Sequence, residues 1–156
     1  MRAFLDANVL FSASNAGSNI ARLIALLTER ETGVTSDVAV AEAGRNLALK
    51  RAAWRPALES LLADLEIVPS ARFDLPVSLD TADASLLCAA IRSRCAYFVT
   101  GDKRDFGHLY NQTVQGVEVI SLLRLADVLS SGSCQGEREK PERPIHRPTG
   151  AQSPKP

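Results

Sequence analysis

The sequence predicts an α/β domain built on a parallel sheet with helices on both faces. Short apolar runs that read as strands alternate with longer stretches of helical spacing, a pattern typical of such sheets. The chain has 156 residues, of which 46% are hydrophobic and 23% charged, and these values suit one globular domain with a single core. No apolar run is long enough to cross a bilayer, so we expect no membrane span.

The first half of the chain contains three strand-like runs, each followed by residues with helical spacing. The runs cover residues 3–6, 34–35 and 66–68. Between the first two runs, apolar residues repeat at helical intervals from Ser18 to a stop at Gly33. We expect two further helices in this half, one capped by Ser36 and running to Lys50, and one over residues 53–65.

The second half continues the alternation of strands and helices. Asp80 opens a helix with an apolar inner side. The fourth and fifth strands are predicted over residues 96–100 and 117–120. Residues 102–111 are polar and turn-rich, and Ser121 is the expected cap of a last helix that ends near Leu129.

The composition changes after residue 130. Residues 131–156 hold five of the eight prolines and carry 5 Lys+Arg against 3 Asp+Glu, whereas residues 1–130 carry 13 against 15. Because the last segment has too few apolar residues to offset its ordering entropy, we predict a folded domain over residues 1–130 and a disordered tail. The folded part is net acidic, so contact with phosphates would need a local basic patch or a metal.

The N-terminus and the cysteines favour a cytoplasmic protein. A strand-like segment follows Met1 and Arg2 directly, which leaves no room for a signal peptide. Cys88, Cys95 and Cys134 are odd in number and lack metal-site spacing. We therefore interpret them as reduced thiols.

Two acids, Asp6 and Asp102, each follow a strand-like run. Ligands of parallel sheets bind outside the carboxyl ends of the strands, although an acid there can also cap a helix or form an Asx-turn. Before Asp102, Gly101 permits a tight turn and Thr100 supplies a hydroxyl. Asp105 comes three residues later and fits a cap of a short helical turn.

Two more acids, Glu42 and Asp83, interrupt apolar helical stretches. Glu42 could form a solvated ion pair with Arg45, three residues further on. Asp83 follows Asp80 by three residues, so helix capping and the helix dipole also explain it. Uncompensated buried carboxylates are costly. If the four acids converge, a hard divalent cation is the simplest remedy.

The acids and their neighbours resemble the PIN-domain family of metal-dependent ribonucleases, and within it the bacterial toxins of VapC-like toxin–antitoxin pairs. The resemblance spans residues 1 to about 130 and is carried by residues 5–10 (LDANVL), Glu42 in its helix, residues 83–90 (DASLLCAA) and residues 97–106 (YFVTGDKRDF). The last block is the most specific, whereas the Glu42 match is weak by itself.

The resemblance implies a fold and a site. The fold is a three-layer α/β/α sandwich whose central parallel sheet has about five strands in the order 3-2-1-4-5. The residues that map to the acidic site, which would be catalytic and would bind Mg²⁺ or Mn²⁺, are Asp6, Glu42, Asp83 and Asp102. Asn8 and Thr100 are implied as supporting polar residues, with Asp105 as an extra ligand or outer-shell residue.

The activity implied by the resemblance is hydrolysis of RNA phosphodiester bonds by in-line attack of water. Arg45, Lys103 and Arg104 are candidate phosphate contacts, whereas His108 and His146 read as solvated histidines rather than general bases. An antitoxin protein and a second copy of the chain, in a homodimer, are the partners implied by the family.

Other classes of acidic α/β protein fit less well. A phosphoacceptor receiver domain would need an acid pair near the first strand, and a haloacid-dehalogenase-type phosphatase would need an acid where Asn8 stands. A dinucleotide-binding domain would need a Gly-rich turn after Asp6. The alternative that stays open is a PIN-like module that binds protein or RNA without catalysis.

Overall fold

A six-stranded sheet forms the centre of the molecule in a computed structural model that describes the backbone of residues 1–136 and the side chains of residues 1–131. Its strands are β1 (Arg2–Leu5), β2 (Thr32–Ser36), β3 (Glu66–Val68), β4 (Tyr97–Val99), β5 (Thr113–Val114) and β6 (Val117–Ile120). They lie in the order β3-β2-β1-β4-β6-β5, and every neighbouring pair is parallel except β5 with β6. The predicted order of the five parallel strands is confirmed, with β6 as the fifth.

The additional strand, β5, was not expected from the sequence. It pairs antiparallel with β6 through a tight turn at Gln115 and Gly116, whose φ angles are 46° and 89°. Positive φ at both turn positions is typical of the hairpin turns that match strand twist. A strand as short as Thr113–Val114 has no periodicity of its own, which is why its apolar pattern did not reveal it.

Helices connect the parallel strands and cover the sheet. They are α1 (Ala7–Ala13), α2 (Asn19–Arg30), α3 (Asp37–Lys50), α4 (Arg55–Ala63), α5 (Thr81–Arg92), α6 (Lys103–Phe106) and α7 (Leu122–Gly136). The expected caps hold for three of them, because the side chains of Ser36, Asp80 and Ser121 accept hydrogen bonds from the first turns of α3, α5 and α7. Ser18, where the helical spacing begins, caps α2 in the same way. No helix in the described part of the chain is long and apolar enough to span a membrane.

Three helical segments differ from the sequence prediction. α1 was missed, because it is short and begins directly after β1 with no loop between the two elements. The helix expected over residues 53–65 is a 3₁₀ turn, Ala52–Trp54, followed by α4, which Pro56 opens in its first turn. α7 continues to Gly136, beyond the expected end near Leu129, and the rest of the predicted tail, residues 137–156, lies outside the described residues.

The core lies on both faces of the two central strands, β1 and β4. The rings of Phe4 and Phe98 stack with their centroids 5.4 Å apart, and Phe106 packs on Phe98 at 4.9 Å. All three side chains are fully buried. Because Phe106 ends α6, this packing fixes the loop that follows β4 against the sheet.

The carboxyl ends of the parallel strands meet at one edge of the sheet. Two residues there extend the ladder beyond the strands: the Asp6 amide donates to the carbonyl of Val99 at 3.0 Å, and the Thr100 amide donates to that of Ile120 at 3.1 Å. These hydrogen bonds bring the ends of β1, β4 and β6 into fixed register. The candidate site is built on this edge.

Candidate metal centre

Asp6 is a buried carboxylate held by three hydrogen bonds. Its side chain is 4% exposed. One oxygen, Oδ1, accepts from the Ala7 amide at 2.7 Å, and Oδ2 accepts from Asn8 Nδ2 at 2.9 Å and Thr100 Oγ1 at 2.8 Å. Burial raises the pKa of Asp6 to about 6, although the hydrogen bonds oppose this rise. Asp6 therefore caps α1, as the capping alternative proposed, and at the same time faces the edge of the sheet.

Thr100 and Asn8 connect the ends of β1 and β4. The Thr100 hydroxyl donates to Asp6 and accepts from the Asp102 amide at 3.0 Å, and it is fully buried. Asn8 Oδ1 accepts from the Gly101 amide at 2.8 Å. Both residues thus bond to Asp6 and to the turn that carries Asp102, a placement that suits the supporting role predicted for them.

Asp102 caps the short helix α6. Its Oδ1 accepts from the amides of Arg104 and Asp105 at 3.0 and 3.1 Å. A hydrogen bond between the two carboxyl groups of Asp102 and Asp105 raises the pKa of Asp105. Asp105 is therefore in direct contact with a predicted ligand rather than only near it in sequence.

Asp80, Asp83 and Asp105 form a compact group that we call the α5 acid cluster. Each offers a carboxylate oxygen within 4.8 Å of the other two. The Asp83 amide donates to Asp80 Oδ1 at 2.9 Å. Burial raises the pKa of Asp83 to about 7, and the charges of Asp80, Asp105, Asp6 and Asp102 add to the rise. These acids consequently repel one another across the space between α5 and α6.

Glu42 approaches the site from α3. It is half-buried, and its charge contributes to the raised pKa of Asp6. The solvated pair that the sequence left open does not form, because none of the ion pairs in the described residues joins Glu42 to Arg45. Arg45, Lys103 and Arg104 are exposed, and none of them forms an ion pair with a site acid.

Two residues of the site were missed in the sequence. Asp80 was interpreted as a helix cap only, yet its carboxylate also belongs to the α5 acid cluster. Its spacing of three from Asp83 was the available signal. Tyr110 donates its hydroxyl to the Thr100 carbonyl at 3.0 Å, and burial with the charges of Asp102 and Asp6 raises its pKa. Nothing in the sequence indicated Tyr110.

The donor set suits a hard divalent cation. All the candidate ligand atoms are carboxylate oxygens, and no Lys or Arg of the described chain is paired with them. Asp6 has lone pairs left after its three hydrogen bonds. Burial and the charges of four neighbouring acids raise the pKa of Asp83, so a cation among these acids would be stabilising. The residues present therefore fit Mg²⁺ or Mn²⁺.

Comparison with models of protein families assigns the chain to a family. The PIN domain model matches residues 3–111, a range that contains all the predicted acids and most of the sheet. The chain belongs to the PIN-domain family. No curated protein matches the sequence.

Solved structures of low sequence identity share the fold. One is a chain of VapBC2 from Rickettsia felis, solved bound to a DNA fragment from their promoter, with a TM-score of 0.57 and 17% identity over 78% of this chain and 98% of that one. Another is a PilT N-terminus domain protein from the hyperthermophilic archaeon Sulfolobus solfataricus, with a TM-score of 0.51 and 15% identity over 83% of this chain and 93% of that one. At this identity the likeness concerns the fold.

Proposed function

We propose that the protein is a metal-dependent endoribonuclease that hydrolyses RNA phosphodiester bonds at the acidic edge of its sheet. The observation that carries the proposal is the placement of Asp6 and Asp102 at the adjacent ends of β1 and β4, where the Thr100 hydroxyl donates to Asp6 and accepts from the Asp102 amide. Asp83 lies close enough for both charges to raise its pKa, and no Lys or Arg in the described chain is paired with these acids. Membership of the PIN-domain family supports the same reading.

In this proposal each acid has a role. Asp6 and Asp102 are direct ligands of Mg²⁺ or Mn²⁺, while Glu42 and Asp83 complete the site or orient the attacking water. The cation, when bound, polarises a phosphoryl oxygen and lowers the pKa of a water molecule. Asp105 serves as an additional ligand or as a support of Asp102, to which its carboxyl group is hydrogen-bonded.

Neutral side chains keep the first ligand in place. The amide of Asn8 and the hydroxyl of Thr100 both donate to Oδ2 of Asp6, so that this carboxylate cannot rotate freely. A ligand fixed before the substrate arrives costs no reorganisation during the reaction.

RNA must reach an acidic site on a net acidic domain. Lys103 and Arg104 are exposed directly beside Asp102, and Arg45 is exposed one helical turn from Glu42. We propose these three cations as phosphate contacts, because a phosphate that crosses the site lies within reach of both groups of positive charge.

We further propose that the protein is the toxin of a toxin–antitoxin pair in the cytoplasm. The fold shared with a chain of the VapBC2 complex supports an antitoxin protein as partner, and a homodimer is proposed from the family resemblance alone. A small reading frame immediately upstream in the genome would support this assignment, whereas its absence would favour a nuclease without an antitoxin.

RNA cleavage by the purified protein tests the proposed activity. We expect the full chain to cleave single-stranded or structured RNA with Mg²⁺ or Mn²⁺, and we expect cleavage to stop when EDTA is added. Asp6→Asn and Asp102→Asn should be inactive, while Asp127→Asn, at an exposed acid on α7, should cleave as the parent does.

Two outcomes would contradict the proposal. Unchanged cleavage in Asp6→Asn and Asp102→Asn would mean that the site is wrongly assigned or that a contaminant is being measured. RNA binding without cleavage by the parent would favour the non-catalytic PIN-like module.

A further inference from the structure

The peptide bond between Thr100 and Gly101 comes directly before the proposed ligand Asp102, and side chains hold both of its polar groups. Its carbonyl oxygen, which belongs to Thr100, accepts from the Tyr110 hydroxyl at 3.0 Å. Its amide, which belongs to Gly101, donates to Asn8 Oδ1 at 2.8 Å. Side chains from two separate parts of the chain therefore fix one peptide bond at the acidic edge of the sheet.

The glycine makes this restraint necessary. Because Gly101 has no Cβ, it can adopt backbone conformations that other residues avoid, and the chain can rotate there. Gly101 is exposed and belongs to no helix or strand. The Asp102 amide, one residue further on, donates to Thr100 Oγ1 at 3.0 Å. The orientation of Asp102 thus depends on hydrogen bonds that side chains make with this turn.

Tyr110 is itself held in place by the sheet. Its ring is half-buried and packs against the core. The next residue, Asn111, donates its amide to the Val119 carbonyl at 2.7 Å, and the Val119 amide donates to the Gln112 carbonyl at 3.0 Å. Because these bonds attach the segment after Tyr110 to β6, the hydroxyl reaches the end of β4 from a fixed position.

The Tyr110 hydroxyl lies near the acids without bonding to them. The charges of Asp102 and Asp6 reach it, since they add to the effect of burial in raising the pKa of Tyr110. A tyrosine hydroxyl has a single proton to donate. That proton is used in the bond to the Thr100 carbonyl, so Tyr110 can act on the site only through the turn.

We propose that Tyr110 is a positioning residue that fixes the Thr100–Gly101 peptide and thereby orients Asp102 for cation binding. Without the hydroxyl, the carbonyl of the fully buried Thr100 loses its hydrogen bond from Tyr110, and rotation of the peptide at Gly101 becomes less costly. Loss of a residue that orients a metal ligand typically weakens metal binding by about 10–100-fold. This role rests on the proposed function, since it concerns how a ligand of that site is held.

Amide hydrogen exchange, measured by NMR on the metal-free full chain, tests the restraint on the turn. Tyr110→Phe removes only the hydroxyl, and we expect the amides of Gly101 and Asp102 to exchange about fivefold faster, as for the loss of one hydrogen bond. Tyr97→Phe is the matched control, because it makes the same change at the other tyrosine, at the start of β4. Its exchange at Gly101 and Asp102 should equal that of the parent.

Calorimetric titration with Mn²⁺ tests the consequence for the ligand. We expect Tyr110→Phe to raise the Kd for Mn²⁺ by about tenfold and Tyr97→Phe to leave it unchanged. A hydroxyl that only stabilised the fold would lower the Tm of Tyr110→Phe in EDTA without changing the Kd, and that result would overturn the positioning role.

The exchange data separate a local effect from a general loss of stability. The amides of β1 serve as the internal reference. Equal acceleration there would mean general destabilisation and would overturn the positioning role. Weaker Mn²⁺ binding without faster exchange at Gly101 would overturn it as well, since the cation would then be affected by another route.

The outcomes also separate this role from the catalytic proposal. Unchanged Kd in Tyr110→Phe, with a parent that binds Mn²⁺, overturns the positioning role alone. Absence of Mn²⁺ binding from the parent overturns both. Mn²⁺ binding that depends on Tyr110, in a protein that does not cleave RNA, supports the positioning role, and the catalytic proposal alone fails.

Discussion

Asp6 and the α5 acid cluster are two acidic regions of one site, and they differ in how their negative charge is stabilised. Asp6 is nearly fully buried, yet three neutral donors satisfy its carboxylate. In the cluster, Asp83 is only half-buried, but burial and the charges of four neighbouring acids all raise its pKa. At Asp6, hydrogen bonds offset part of the cost of burying the charge, whereas in the cluster the neighbouring acids add to that cost.

The difference assigns separate tasks to the two regions. Because fixed hydrogen bonds set the orientation of Asp6, this residue can define where a cation sits before any cation arrives. Because the cluster lacks a compensating charge, it should provide much of the electrostatic attraction for the cation. Substitutions in the two regions should therefore differ in their effects on stability, even where both reduce activity.

The largest effect is expected for Asp6→Asn. Cleavage of RNA in Mn²⁺ should fall about a thousandfold, because the change removes a fixed ligand and turns an acceptor of three hydrogen bonds into an amide. Initial rates at saturating Mn²⁺ measure this effect against Asp127→Asn. A loss of less than about tenfold would remove Asp6 from the ligand set.

Asp83→Asn should reduce cleavage by about a hundredfold but stabilise the metal-free protein at neutral pH. The substitution removes the charge that Asp80, Asp105, Asp6 and Asp102 repel. Thermal unfolding in EDTA, compared with that of the parent, measures the change. A lower Tm in Asp83→Asn would show that the cluster is not under electrostatic strain.

The metal-free protein should lose stability as the pH rises from about 4 to 7. Folding raises the pKa of Asp6 from 3.8 to about 6 and that of Asp83 from 3.8 to about 7, so the folded state binds protons more tightly than the unfolded chain. This contribution is complete below the unfolded pKa and is lost as the pH rises through the folded pKa values. The Asp6 part is on the order of 3 kcal/mol.

Urea denaturation in EDTA across this pH range measures the loss. The free energy of unfolding should fall less steeply with pH in a variant that carries both Asp6→Asn and Asp83→Asn. Saturating Mn²⁺ should likewise make this fall less steep in the parent. Stability that rose steadily with pH in the metal-free parent would contradict the assigned pKa directions.

A smaller effect is expected for Thr100→Val. The substitution keeps the shape of the side chain but removes the hydroxyl that donates to Asp6 and accepts from the Asp102 amide. The free energy of unfolding should fall by about 1–3 kcal/mol, because two partners lose a buried hydrogen bond. Thr113→Val, at an exposed threonine of β5, is the control. An equal loss of unfolding free energy in both variants would show that the hydrogen bonds of Thr100 do not connect Asp6 with the turn that carries Asp102.

The sequence predicted the sheet well because apolar runs and caps are local signals. The caps at Ser36, Asp80 and Ser121 are confirmed in the structure, as is the strand order that the family resemblance implied. α1 and β5 were missed because each is too short for a periodic pattern, and β5 depends on pairing with β6. Short elements of this kind are decided by tertiary contacts rather than by their own residues.

For the site, the sequence indicated the acids but not how each is held. Asp6 and Asp102 were singled out because they follow strands, and both also proved to be helix caps. The membership of Asp80 in the cluster and the contact of Tyr110 with Thr100 depend on how α5 and the segment after α6 pack on the edge of the sheet. Apart from the spacing of three between Asp80 and Asp83, the sequence carries no local signal of this long-range packing.

Calorimetric titration with Mn²⁺ is the most direct test of whether these acids form one cation site. We expect saturable binding to the parent and to Asp127→Asn, and at least about tenfold weaker binding to Asp6→Asn and to Asp83→Asn. Binding that is equal in all four proteins, or absent from the parent, would contradict a cation site at this edge of the sheet.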